Sequence, residues 1–453
     1  MGWRYTLNEL AAWLNCDAGA HGDVAVTGVS TDTRTIAPGD LFVALEGPNF
    51  DADDFVAAAF VRGAAAAICK RPHAEGPCLE VTNPLGALQC WATRHRMSHD
   101  IPIFAVTGSC GKTTTKDLTA ALLESRYTVV KTKGNLNNDI GCPLSLLRID
   151  RDTSFAVIEM GANHVGEIDQ LCGIARPTET AVTIVAPSHL EGFGSIEAVA
   201  RAKSEIVNSL DADGCFYKNM DNPWCRAMGE NFRGEIVRFG REGDVVLKSQ
   251  SFDASGEMVL DIDPVGTIRL PLLVPAHATN VLLAVAVGLR HGITEFEGPL
   301  RAACGAAARF KVRTVGPFEL LDDTYNANPA SMAAALEALA ARAVKGKRIA
   351  VLGGMLELGE DAAALHRRVG GLAGEHGVDA VFAYGEHACD IIAGAREAGI
   401  LRSEAFDSHE AIADALVLSA APGDSILLKG SRGMRMERVA EQLERRFPPV
   451  GEE

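Results

Sequence analysis

A glycine-rich turn between an apolar strand and a helix constrains this chain more than any other feature of its sequence. Residues 101 to 106 are apolar, which is typical of a buried strand, and a helical pattern follows over residues 113 to 125. In the turn between them, Gly108 and Gly111 allow backbone N–H groups and the helix N-terminus to surround phosphate oxygens. Lys112 adds a positive charge, and Thr113 offers a hydroxyl to Mg²⁺. The turn therefore predicts a nucleotide-binding α/β domain.

The spacing of this turn departs from the common phosphate-loop pattern GxxxxGK(S/T), because Val106 stands where the first glycine would fall. An ordinary strand-to-helix turn is the alternative. The run Lys112-Thr113-Thr114 directly after a glycine, with an apolar strand before the turn, favours a phosphate loop instead. The residues predicted to contact the nucleotide here are Thr107, Gly108, Ser109, Cys110, Gly111, Lys112, Thr113 and Thr114.

The balance of charge and the apolar pattern exclude several classes of protein. The 43 Lys and Arg residues face 59 Asp and Glu residues, for a net charge of -16. Binders of nucleic acid or of anionic membranes need clustered basic residues, so neither activity is expected. The longest apolar stretch, Leu270 to Leu289, is interrupted by prolines and polar residues and predicts a strand, a loop and a buried helix rather than a membrane span. The 11 cysteines form no CxxC pair, which favours buried thiols in a reducing cytoplasm.

The chain is long enough, at 453 residues, for two to four domains. The part up to about Ser98 mixes short strands, such as Asp40 to Leu45, with helices, such as the Ala-rich segment Val56 to Ala67, which is typical of a compact α/β module. From about Arg313, strands alternate with helices, which predicts a mainly parallel, doubly wound sheet. The strands expected there are Phe318 to Leu321, Arg348 to Leu352, Ala380 to Tyr384 and Ser425 to Lys429.

Two further strands place candidate metal ligands at the sheet edge that carries the phosphate loop. Residues 155 to 159 form an apolar strand that ends in Glu159, the usual way to place an acid beside such a loop. The next strand, residues 181 to 185, leads to His189 at the equivalent edge. Glu159 is therefore a candidate Mg²⁺ ligand, whereas a lone histidine is more often structural than a ligand.

Eight ordered blocks of this sequence resemble those of the Mur ligases, the ATP-dependent amide-forming enzymes of peptidoglycan precursor synthesis. Together they extend over essentially the whole chain. The blocks are TGSCGKTTTKD (107 to 117), GNLNNDIGCPLSLL (134 to 147), AVIEMGANHVGEI (156 to 168), SHLEGFGS (188 to 195), AKSEI (202 to 206), LDDTYNANPASM (321 to 332), MLELGE (355 to 360) and LKGSRGMRME (428 to 437). The resemblance implies an α/β fold of three domains: a small UDP-sugar-binding domain (1–98), a central phosphate-loop ATPase with a mainly parallel sheet (99–312) and a C-terminal Rossmann-like ligase domain (313–453).

Within this family, the Tyr-Asn-Ala-Asn-Pro block at residues 325 to 329 resembles the members that join D-Ala-D-Ala to UDP-N-acetylmuramoyl-tripeptide. The members that add the third amino acid typically have Tyr-Ala-His-x-Pro there and a later Asp-Asn-Pro-Arg block that is missing here. Residues 221 to 224, Asp-Asn-Pro-Trp, lie in the wrong domain and lack the arginine. The resemblance therefore implies these two small-molecule substrates for a cytoplasmic enzyme that is expected to be monomeric.

The resemblance also implies a role for each candidate at the reaction centre. Lys112 would hold the ATP phosphates, while Thr113 and Glu159 would bind one Mg²⁺. His189 and Lys203 would serve a second Mg²⁺, with Lys203 carbamylated, which converts a cation into a carboxylate-like ligand. Without the family, Lys203 is more simply a solvated charge on a helix face. The residues assigned to catalysis are Lys112, His189, Lys203 and Arg309, of which Arg309 would reach the γ-phosphate.

The resemblance assigns three further groups of residues to ligands. The remaining ATP contacts would be Asp323 to ribose, Asn280 near adenine, and Tyr325, Asn326 and Asn328 along the same cleft. The UDP-sugar would contact Ser30, Thr33, Arg34, Asn135, Asn137 and Asn138. The dipeptide would contact Lys429, Ser431 and Arg432. The residues assigned to ATP and to the UDP-sugar have the alternative of serving only in turns or helix caps.

Four positions depart from the family pattern. Cys110 and Ile184 each replace a usual asparagine, and Asp53 replaces a usual histidine. Near Asn280 the pattern Gly-x-His-Asn-x-x-Asn is degraded, which shifts His277 by one position. Because Cys110 and Ile184 are not phosphate or metal ligands in the expected scheme, they bear on the rigidity of the loop more than on activity.

The implied reaction begins when the tripeptide carboxylate attacks the γ-phosphate of ATP, giving an acyl phosphate and ADP. The α-amine of D-Ala-D-Ala then displaces phosphate, and an amide forms. Catalysis consists mainly of charge neutralisation and alignment by Lys112, Arg309 and Mg²⁺. The alternatives are a ligase of the same fold with another amine, such as the third-residue-adding ligase or a folate-polyglutamate synthetase, and an ATPase switch that does not ligate.

Overall fold

Three β-sheets follow one another along the chain. The computed structural model describes residues 2–306 and 310–448. Its sheets have four, nine and six strands, and two short two-stranded ribbons accompany the first. No helix within the described residues is long and apolar enough to cross a membrane. The predicted α/β fold class is confirmed, whereas Arg309, assigned above to the γ-phosphate, lies outside the described residues.

The N-terminal part is built around four parallel strands. Its elements are β1 (Tyr5–Thr6), α1 (Leu7–Leu14), β2 (Ala25–Val26), β3 (Gly28–Ser30), β4 (Asp40–Val43), β5 (Glu46–Gly47), β6 (Phe50–Asp51), α2 (Val56–Val61), β7 (Ala66–Cys69), β8 (Cys78–Glu80) and α3 (Pro84–Met97). Strands β3, β4, β7 and β8 lie side by side in that order. Helix α1 begins with a capping box of Thr6 and Glu9, and α3 begins after the Asn83 cap, so the sequence fixes where both helices start.

The central part carries the phosphate loop on a nine-stranded sheet. Its elements are β9 (Ile103–Thr107), α4 (Lys112–Glu124), β10 (Val129–Lys131), α5 (Gly141–Leu146), β11 (Phe155–Glu159), α6 (Glu167–Ala175), β12 (Glu179–Val182), α7 (Leu190–Phe193), α8 (Ile196–Asn208), β13 (Cys215–Asn219), α9 (Pro223–Arg226), β14 (Glu235–Gly240), β15 (Val245–Phe252), β16 (Met258–Asp263), β17 (Gly266–Leu270), α10 (His277–Arg290) and α11 (Glu297–Ala306). The strand order is β10-β11-β9-β12-β13-β14-β15-β16-β17, with only the last two pairings antiparallel. Since β9 lies between β11 and β12, the carboxyl ends of three parallel strands meet at the loop.

The C-terminal part is a doubly wound sheet. Its elements are β18 (Lys311–Val315), β19 (Phe318–Asp323), α12 (Pro329–Ala341), β20 (Arg348–Gly353), α13 (Ala362–Glu375), β21 (Ala380–Tyr384), α14 (Ala388–Glu397), β22 (Arg402–Phe406), α15 (His409–Ser419), β23 (Ser425–Lys429) and α16 (Glu437–Arg446). The strand order is β18-β19-β23-β20-β21-β22, and only β18 and β19 pair antiparallel. Along β20, Ala350 and Leu352 enter the core under α12, α13 and α14, whereas Ile349 and Val351 enter the core under α15 and α16. This alternation buries both faces of the sheet, as a doubly wound fold requires.

Two predicted elements differ from the structure. The Ala-rich segment expected to be helical from Val56 to Ala67 ends its helix at Val61, and Ala66 already belongs to β7. Gly63 has a φ of 102°, a conformation that other residues rarely adopt, and it separates the helix from the strand. The strand expected over residues 181 to 185 is β12, which begins two residues earlier and ends at Val182.

The division into three domains remains our proposal. The boundary between residues 98 and 99 falls in the connection from α3 to β9. The boundary between residues 312 and 313 falls inside β18, which pairs with β19 along its whole length. A boundary ahead of Lys311 keeps this strand pair in one domain.

A buried histidine joins the N-terminal part to the central part. His95 on α3 is fully buried. Its Nε2 lies 2.8 Å from the Ile149 carbonyl oxygen, and its Nδ1 lies 2.8 Å from the Tyr5 hydroxyl. Because a carbonyl only accepts, Nε2 carries the proton and Nδ1 accepts from Tyr5. Both ring nitrogens are therefore satisfied in the neutral form, and burial lowers the pKa of His95 to about 4.

We expect His95 to make the stability of the protein depend on pH. Its folded pKa of about 4 lies below the ordinary value of 6.5, so the unfolded chain binds this proton more tightly. The stabilisation is therefore complete above pH 6.5 and is lost as the pH falls toward 4, by about 2 kcal/mol at pH 5. Urea unfolding at pH 7 and pH 5 gives the free energy of unfolding. This free energy should change less with pH in His95→Gln than in wild type or in the exposed control His21→Gln. Equal pH dependence in His95→Gln and wild type would contradict this prediction.

Candidate active site

The phosphate loop joins β9 to α4. Gly108 and Gly111 have φ values of 146° and 81°, in the region that favours glycine. Helix α4 begins at Lys112, directly after Gly111, so the N–H groups of its first turn face the loop. Lys112 Nζ donates to the Gly108 carbonyl oxygen at 2.7 Å. The loop thus places an ammonium group beside the positive end of a helix dipole, which suits a phosphate chain.

We expect Gly111→Ala to weaken ADP binding about tenfold or more, roughly 1.4 kcal/mol. An added Cβ would lie 2.4 Å from Asn280 Oδ1, so either the loop with its N–H groups or Asn280, a predicted ATP contact, must move. Gly256 is a matched control, because its φ of 82° imposes the same strain on alanine but a Cβ there meets nothing within 4 Å. Calorimetric titration with ADP should separate the two variants, and equal ADP affinities would contradict the prediction.

Glu159 ends β11 next to the loop strand and is only 1% exposed. Its Oε2 accepts from Thr113 Oγ1 at 2.7 Å, and its Oε1 accepts from Asn137 Nδ2 at 2.7 Å. Lys116 Nζ, which the sequence did not single out, is 4.0 Å from Oε2 and is also buried. The buried carboxylate is therefore held against the loop hydroxyl by an amide on one side and an ammonium group on the other.

This pair of oxygen-bearing side chains fits a Mg²⁺ ion. Mg²⁺ prefers hard oxygen ligands and is usually bound through one or two carboxylates together with waters and substrate phosphates. In the described part of the chain, no group of three His, Cys, Asp or Glu side chains is arranged to hold a metal. Thr113 and Glu159 nevertheless present adjoining oxygens beside the phosphate loop. They are suited to hold a Mg²⁺ ion that is also bound by ATP.

His189 lies between β12 and α7, in the left-handed region with a φ of 50°. Its Nδ1 contacts the carboxylate of Glu357, a residue of the C-terminal part. Burial lowers the pKa of His189; Glu357 opposes this shift, and the charges of Lys112 and Lys203 add to it. The neutral imidazole that results is the form that binds metals.

Lys203 on α8 is only 1% exposed, so the alternative of a solvated charge on a helix face is wrong. Its Nζ lies 5.6 Å from the centre of the Phe193 ring. Burial, followed by the charge of Lys112, lowers the pKa of Lys203 to about 7. No hydrogen bond or ion pair of its ammonium group occurs among the described residues. A buried, readily deprotonated amine is the chemical state that carbamylation requires, because only the neutral amine attacks CO₂.

A cleft of about 510 Å³ lies between the central and C-terminal parts, with the phosphate loop on one wall. It brings together most of the residues assigned to ATP and all of those assigned to the dipeptide. The predicted site residues that line it are Ser109, Cys110, Gly111, Lys112, Thr113, Thr114, His189, Asn280, Asp323, Tyr325, Asn326, Asn328, Lys429, Ser431 and Arg432. Thr107 lies just beneath the loop, where its hydroxyl donates to the Met160 carbonyl oxygen at 2.8 Å.

The C-terminal wall of the cleft carries a partly buried ion pair. Lys429 Nζ is 2.6 Å from Asp323 Oδ2 and donates to the Asn326 carbonyl oxygen at 3.0 Å. Asp323 ends β19 and Lys429 ends the neighbouring strand β23, which explains why the two side chains meet. Lys429, assigned to the dipeptide, is therefore in direct contact with the acid assigned to the ATP ribose.

Asn328 connects the C-terminal part to the phosphate loop. It caps α12 through a capping box with Ser331. Its side-chain amide also donates to the Ser109 carbonyl oxygen at 3.3 Å, and Cys110 Sγ donates to Asn328 Oδ1 at 3.1 Å. Burial raises the pKa of Cys110, so its sulfur remains a thiol donor. The cysteine that departs from the family pattern thus forms a hydrogen bond between the two walls of the cleft.

Two side chains of the dipeptide group have structural contacts as well. Ser431 Oγ donates to the Ala327 carbonyl oxygen at 3.2 Å and accepts from the Leu356 N–H at 2.9 Å. Arg432 pairs with Glu437 at 3.2 Å and stays largely exposed. Ser431 is thus fixed by its neighbours, whereas Arg432 can reach solvent and ligand.

His277, the residue shifted by one position, begins α10 at the rim of the cleft. Burial lowers its pKa to about 4, so the ring is neutral at physiological pH. Its Nδ1 is buried with no hydrogen-bond partner among the described residues. One turn further along α10, Asn280 Oδ1 accepts from Thr115 Oγ1 at 3.3 Å. Asn280 is thereby oriented from beneath the phosphate loop.

The N-terminal residues assigned to the UDP-sugar lie away from this cleft. Ser30 Oγ donates to the Asp32 carbonyl oxygen at 2.9 Å, and the Thr33 carbonyl oxygen accepts from Arg62 at 3.1 Å. The exposed Arg34 pairs with the Asp32 carboxylate at 2.7 Å. These contacts shape the turn of residues 30 to 34. The guanidinium group of Arg34 faces solvent.

The asparagines of residues 135 to 138 lie in the loop between β10 and α5. The Asn135 carbonyl oxygen accepts from the Asn137 N–H at 2.7 Å, which bends the chain. Asn138 Oδ1 accepts a backbone N–H at 2.8 Å at the start of α5. Of these three asparagines, Asn137 contacts a candidate metal ligand, because its side-chain amide donates to Glu159.

The remaining departures from the family pattern have structural roles. Asp53 is 1% exposed and accepts from the N–H groups of Lys70 and Arg71 at 3.1 and 3.0 Å. Ile184 contacts the phosphate loop through its carbonyl oxygen, which accepts from the Ser109 N–H at 2.8 Å. Since that contact uses backbone only, the isoleucine side chain does not disturb it.

Sequence reasoning missed Glu357, the partner of His189. The block MLELGE was recognised, but no residue in it was assigned a role. Its contact with His189 joins positions 168 residues apart. The sequence therefore offered the block as a signal, but it did not show that Glu357 lies next to His189.

Two family models match the chain. The Mur ligase middle domain matches residues 106–288, and the Mur ligase glutamate ligase domain matches residues 308–432. Among curated proteins, the UDP-N-acetylmuramoyl-tripeptide–D-alanyl-D-alanine ligase of Escherichia coli is 36% identical over 97% of this chain and 98% of its own length. The ligase of the same name from Bacillus subtilis is 34% identical over 92% of this chain and 93% of its own length.

Solved structures agree with these relatives. A crystal structure of MurF from Acinetobacter baumannii has a TM-score of 0.89 at 30% identity, covering 98% of this chain and 99% of its own. The MurF ligase from Thermotoga maritima, solved in complex with ADP, has a TM-score of 0.81 at 30% identity, covering 94% of this chain and 99% of its own. Similarity of this kind along almost the full length means that the chain belongs to the Mur ligase family.

Proposed function

We propose that this chain is an ATP-dependent ligase that joins D-Ala-D-Ala to UDP-N-acetylmuramoyl-tripeptide through an acyl phosphate, in peptidoglycan precursor synthesis. The observation that carries the proposal is the cleft itself. A phosphate loop forms one wall, and strand ends bearing Asp323 and Lys429 form the other. The full-length relatives bear the name of this activity, which favours it over the other amine ligases and over a switch.

The first step is attack of the tripeptide carboxylate on the γ-phosphate of ATP, which releases ADP. Two anions must approach each other, so the reaction needs positive charge that is already in place. Lys112 and the N–H groups at the start of α4 supply it on the loop wall. The carboxylate thereby gains a good leaving group.

The second step is attack of the dipeptide α-amine on the acyl phosphate carbon, which expels phosphate and leaves an amide. Lys429, Ser431 and Arg432 lie across the cleft from the phosphate loop. We propose that Arg432, with its exposed guanidinium group, orients the dipeptide carboxylate. Closure of the two walls excludes water, which would otherwise hydrolyse the acyl phosphate.

We assign Thr113 and Glu159 to one Mg²⁺, and His189 with a carbamylated Lys203 to a second. When bound, the ions offset the negative charge of the reacting phosphates. The adjoining oxygens of Thr113 and Glu159 support the first assignment. The buried, weakly basic amine of Lys203 supports the second.

The nucleotide-sugar is proposed to bind the turn of Ser30, Thr33 and Arg34 and the asparagine loop of residues 135 to 138. The bond from Asn137 to Glu159 supports the loop part of this placement, because it holds the loop beside the proposed Mg²⁺ ligand. A nucleotide-sugar substrate implies a cytoplasmic reaction, and a monomer is sufficient because both walls of the ATP cleft come from one chain.

The proposal is tested by phosphate release. Purified protein is incubated with ATP and Mg²⁺, with UDP-muramoyl-tripeptide and D-Ala-D-Ala added singly and together. Release that requires both substrates, with a new amide by mass spectrometry, is the expected result. Release that does not respond to either substrate would instead indicate a switch. Release with another amine or acid, such as a diamino acid or a folate, would indicate a different ligase of this fold.

A further inference from the structure

We infer that Glu357 is a positioning residue, which latches the C-terminal part onto the loop of His189 and orients that imidazole for its metal ion. The inference rests on the proposed function, because it assumes that His189 serves a metal site. It adds a residue of the C-terminal part to a site whose other members, Thr113, Glu159, His189 and Lys203, all lie in the central part.

Two separate bonds join Glu357 to the His189 loop. Its carboxylate contacts His189 Nδ1, and its carbonyl oxygen accepts from the Glu191 N–H at 3.1 Å. A side chain and a backbone group are thus engaged together, which fixes the orientation of the segment as well as its distance. A mobile surface ion pair would not include the backbone bond.

Both ends of this contact adopt a costly backbone conformation. His189 has a φ of 50° and Glu357 a φ of 62°, and neither is glycine. Left-handed conformations of such residues persist only where the surrounding structure holds them, and they are concentrated at functional sites. The two residues in these conformations are the ones that meet across the cleft.

The segment that carries Glu357 is anchored in its own part of the chain. The Met355 N–H donates to His366 Nε2 at 2.8 Å, the Leu356 N–H donates to Ser431 Oγ at 2.9 Å, and Leu358 is buried. The Glu357 side chain itself is half exposed, and His189 is its only hydrogen-bond partner among the described residues. The carboxylate therefore contributes little to the C-terminal core and contacts the central part instead.

The chemistry of this contact fixes the tautomer of His189. An ionised carboxylate can only accept, so Nδ1–H donates to Glu357 and the lone pair remains on Nε2. Metal-binding histidines usually donate their second N–H in this way, and loss of the partner typically lowers metal affinity 10–100-fold. Since the partner comes from the other wall, the imidazole is held in place only when the cleft is closed.

The test measures Mn²⁺ binding, as well as activity, for three variants in the full chain. Glu357→Ala removes the acceptor, Glu357→Gln keeps an acceptor oxygen, and Glu360→Gln is the control. Glu360 is exposed and three residues away, and no side-chain bond of it occurs in the described part of the chain. Electron paramagnetic resonance counts bound Mn²⁺ in the presence of a non-hydrolysable ATP analogue.

For Glu357→Ala we expect Mn²⁺ affinity at the site assigned to His189 and Lys203 to fall 10–100-fold. Glu357→Gln should recover part of that loss, and Glu360→Gln should match wild type. Unchanged Mn²⁺ affinity in Glu357→Ala, or an equal loss in Glu360→Gln, would overturn the inference. Thermal melts exclude unfolding, and Glu357→Gln preserves the shape of the side chain if alanine proves destabilising.

His189→Ala separates this inference from the proposed function. If His189→Ala weakens Mn²⁺ binding and Glu357→Ala does not, the latch is rejected and the metal site stands. If His189→Ala leaves Mn²⁺ binding unchanged, the metal assignment fails, and the latch fails with it. Small-angle scattering with the ATP analogue adds a readout that a purely local role would not move, because loss of the latch should leave Glu357→Ala more extended than wild type.

Discussion

Lys112→Ala should lower kcat for the two-substrate reaction roughly 10³-fold. The Lys112 ammonium lies 2.7 Å from the Gly108 carbonyl oxygen, over the loop where the phosphates are proposed to bind. With that charge removed, less positive charge remains beside the loop to offset the meeting of a carboxylate and a triphosphate. Phosphate release under saturating substrates gives kcat, and calorimetry with ADP gives the accompanying loss of affinity.

Lys345→Ala is the matched control, because Lys345 is an exposed lysine remote from the cleft. It removes the same charge from the chain and should leave kcat within about twofold of wild type. Equal activities of Lys112→Ala and wild type would contradict the placement of ATP on this loop. Equal losses in both variants would show that overall charge, and not position, matters.

Lys203→Ala should lower activity roughly 100-fold and abolish any response to bicarbonate. Wild-type protein stripped of CO₂ should lose activity and regain it when bicarbonate is added, because the buried amine of Lys203 is then carbamylated again. Thermal melts of Lys203→Ala are needed beside the activity, because loss of this fully buried side chain leaves a cavity that lowers stability. Phosphate release with and without bicarbonate, together with thermal melts, checks each part.

Arg201→Ala controls for the loss of a cation from the same helix. Arg201 lies two residues before Lys203 on α8 but is exposed. This variant should keep both its activity and its bicarbonate response. Bicarbonate dependence that persists in Lys203→Ala would exclude carbamylation of this residue as its cause.

Local signals in the sequence were sufficient for many elements of the fold. Strands β11 and β23 have the predicted bounds, because each is an apolar run that ends in a charged residue at the sheet edge. Strand β12 was misplaced because it begins with a charged residue, Glu179. That carboxylate is buried only because Tyr217, Arg290 and His291 contact it. Partners as far as 112 residues away are not visible in a window of local sequence.

In the candidate site, too, some features follow from local sequence and others depend on contacts between distant segments. The glycines of the phosphate loop and the strand-end Glu159 follow from short-range pattern, because backbone curvature and sheet edges are local consequences of residue type. The pairings of His189 with Glu357 and of Asp323 with Lys429 required the packing of distant segments. The family resemblance singled out His189, Asp323 and Lys429, but it assigned Lys429 to the dipeptide and Asp323 to ATP. It did not indicate that any two of them touch.

The first turns of α4 and α12 both line the cleft, and both helices begin there. The partial charges at helix N-termini are fixed within the protein and act over a short range, so dissolved salt weakens them less than it weakens interactions beyond a Debye length. Salt also screens the long-range repulsion between an acidic protein and a polyanion. Nucleotide capture by this chain should therefore tolerate high ionic strength, unlike capture by a surface rich in lysine and arginine.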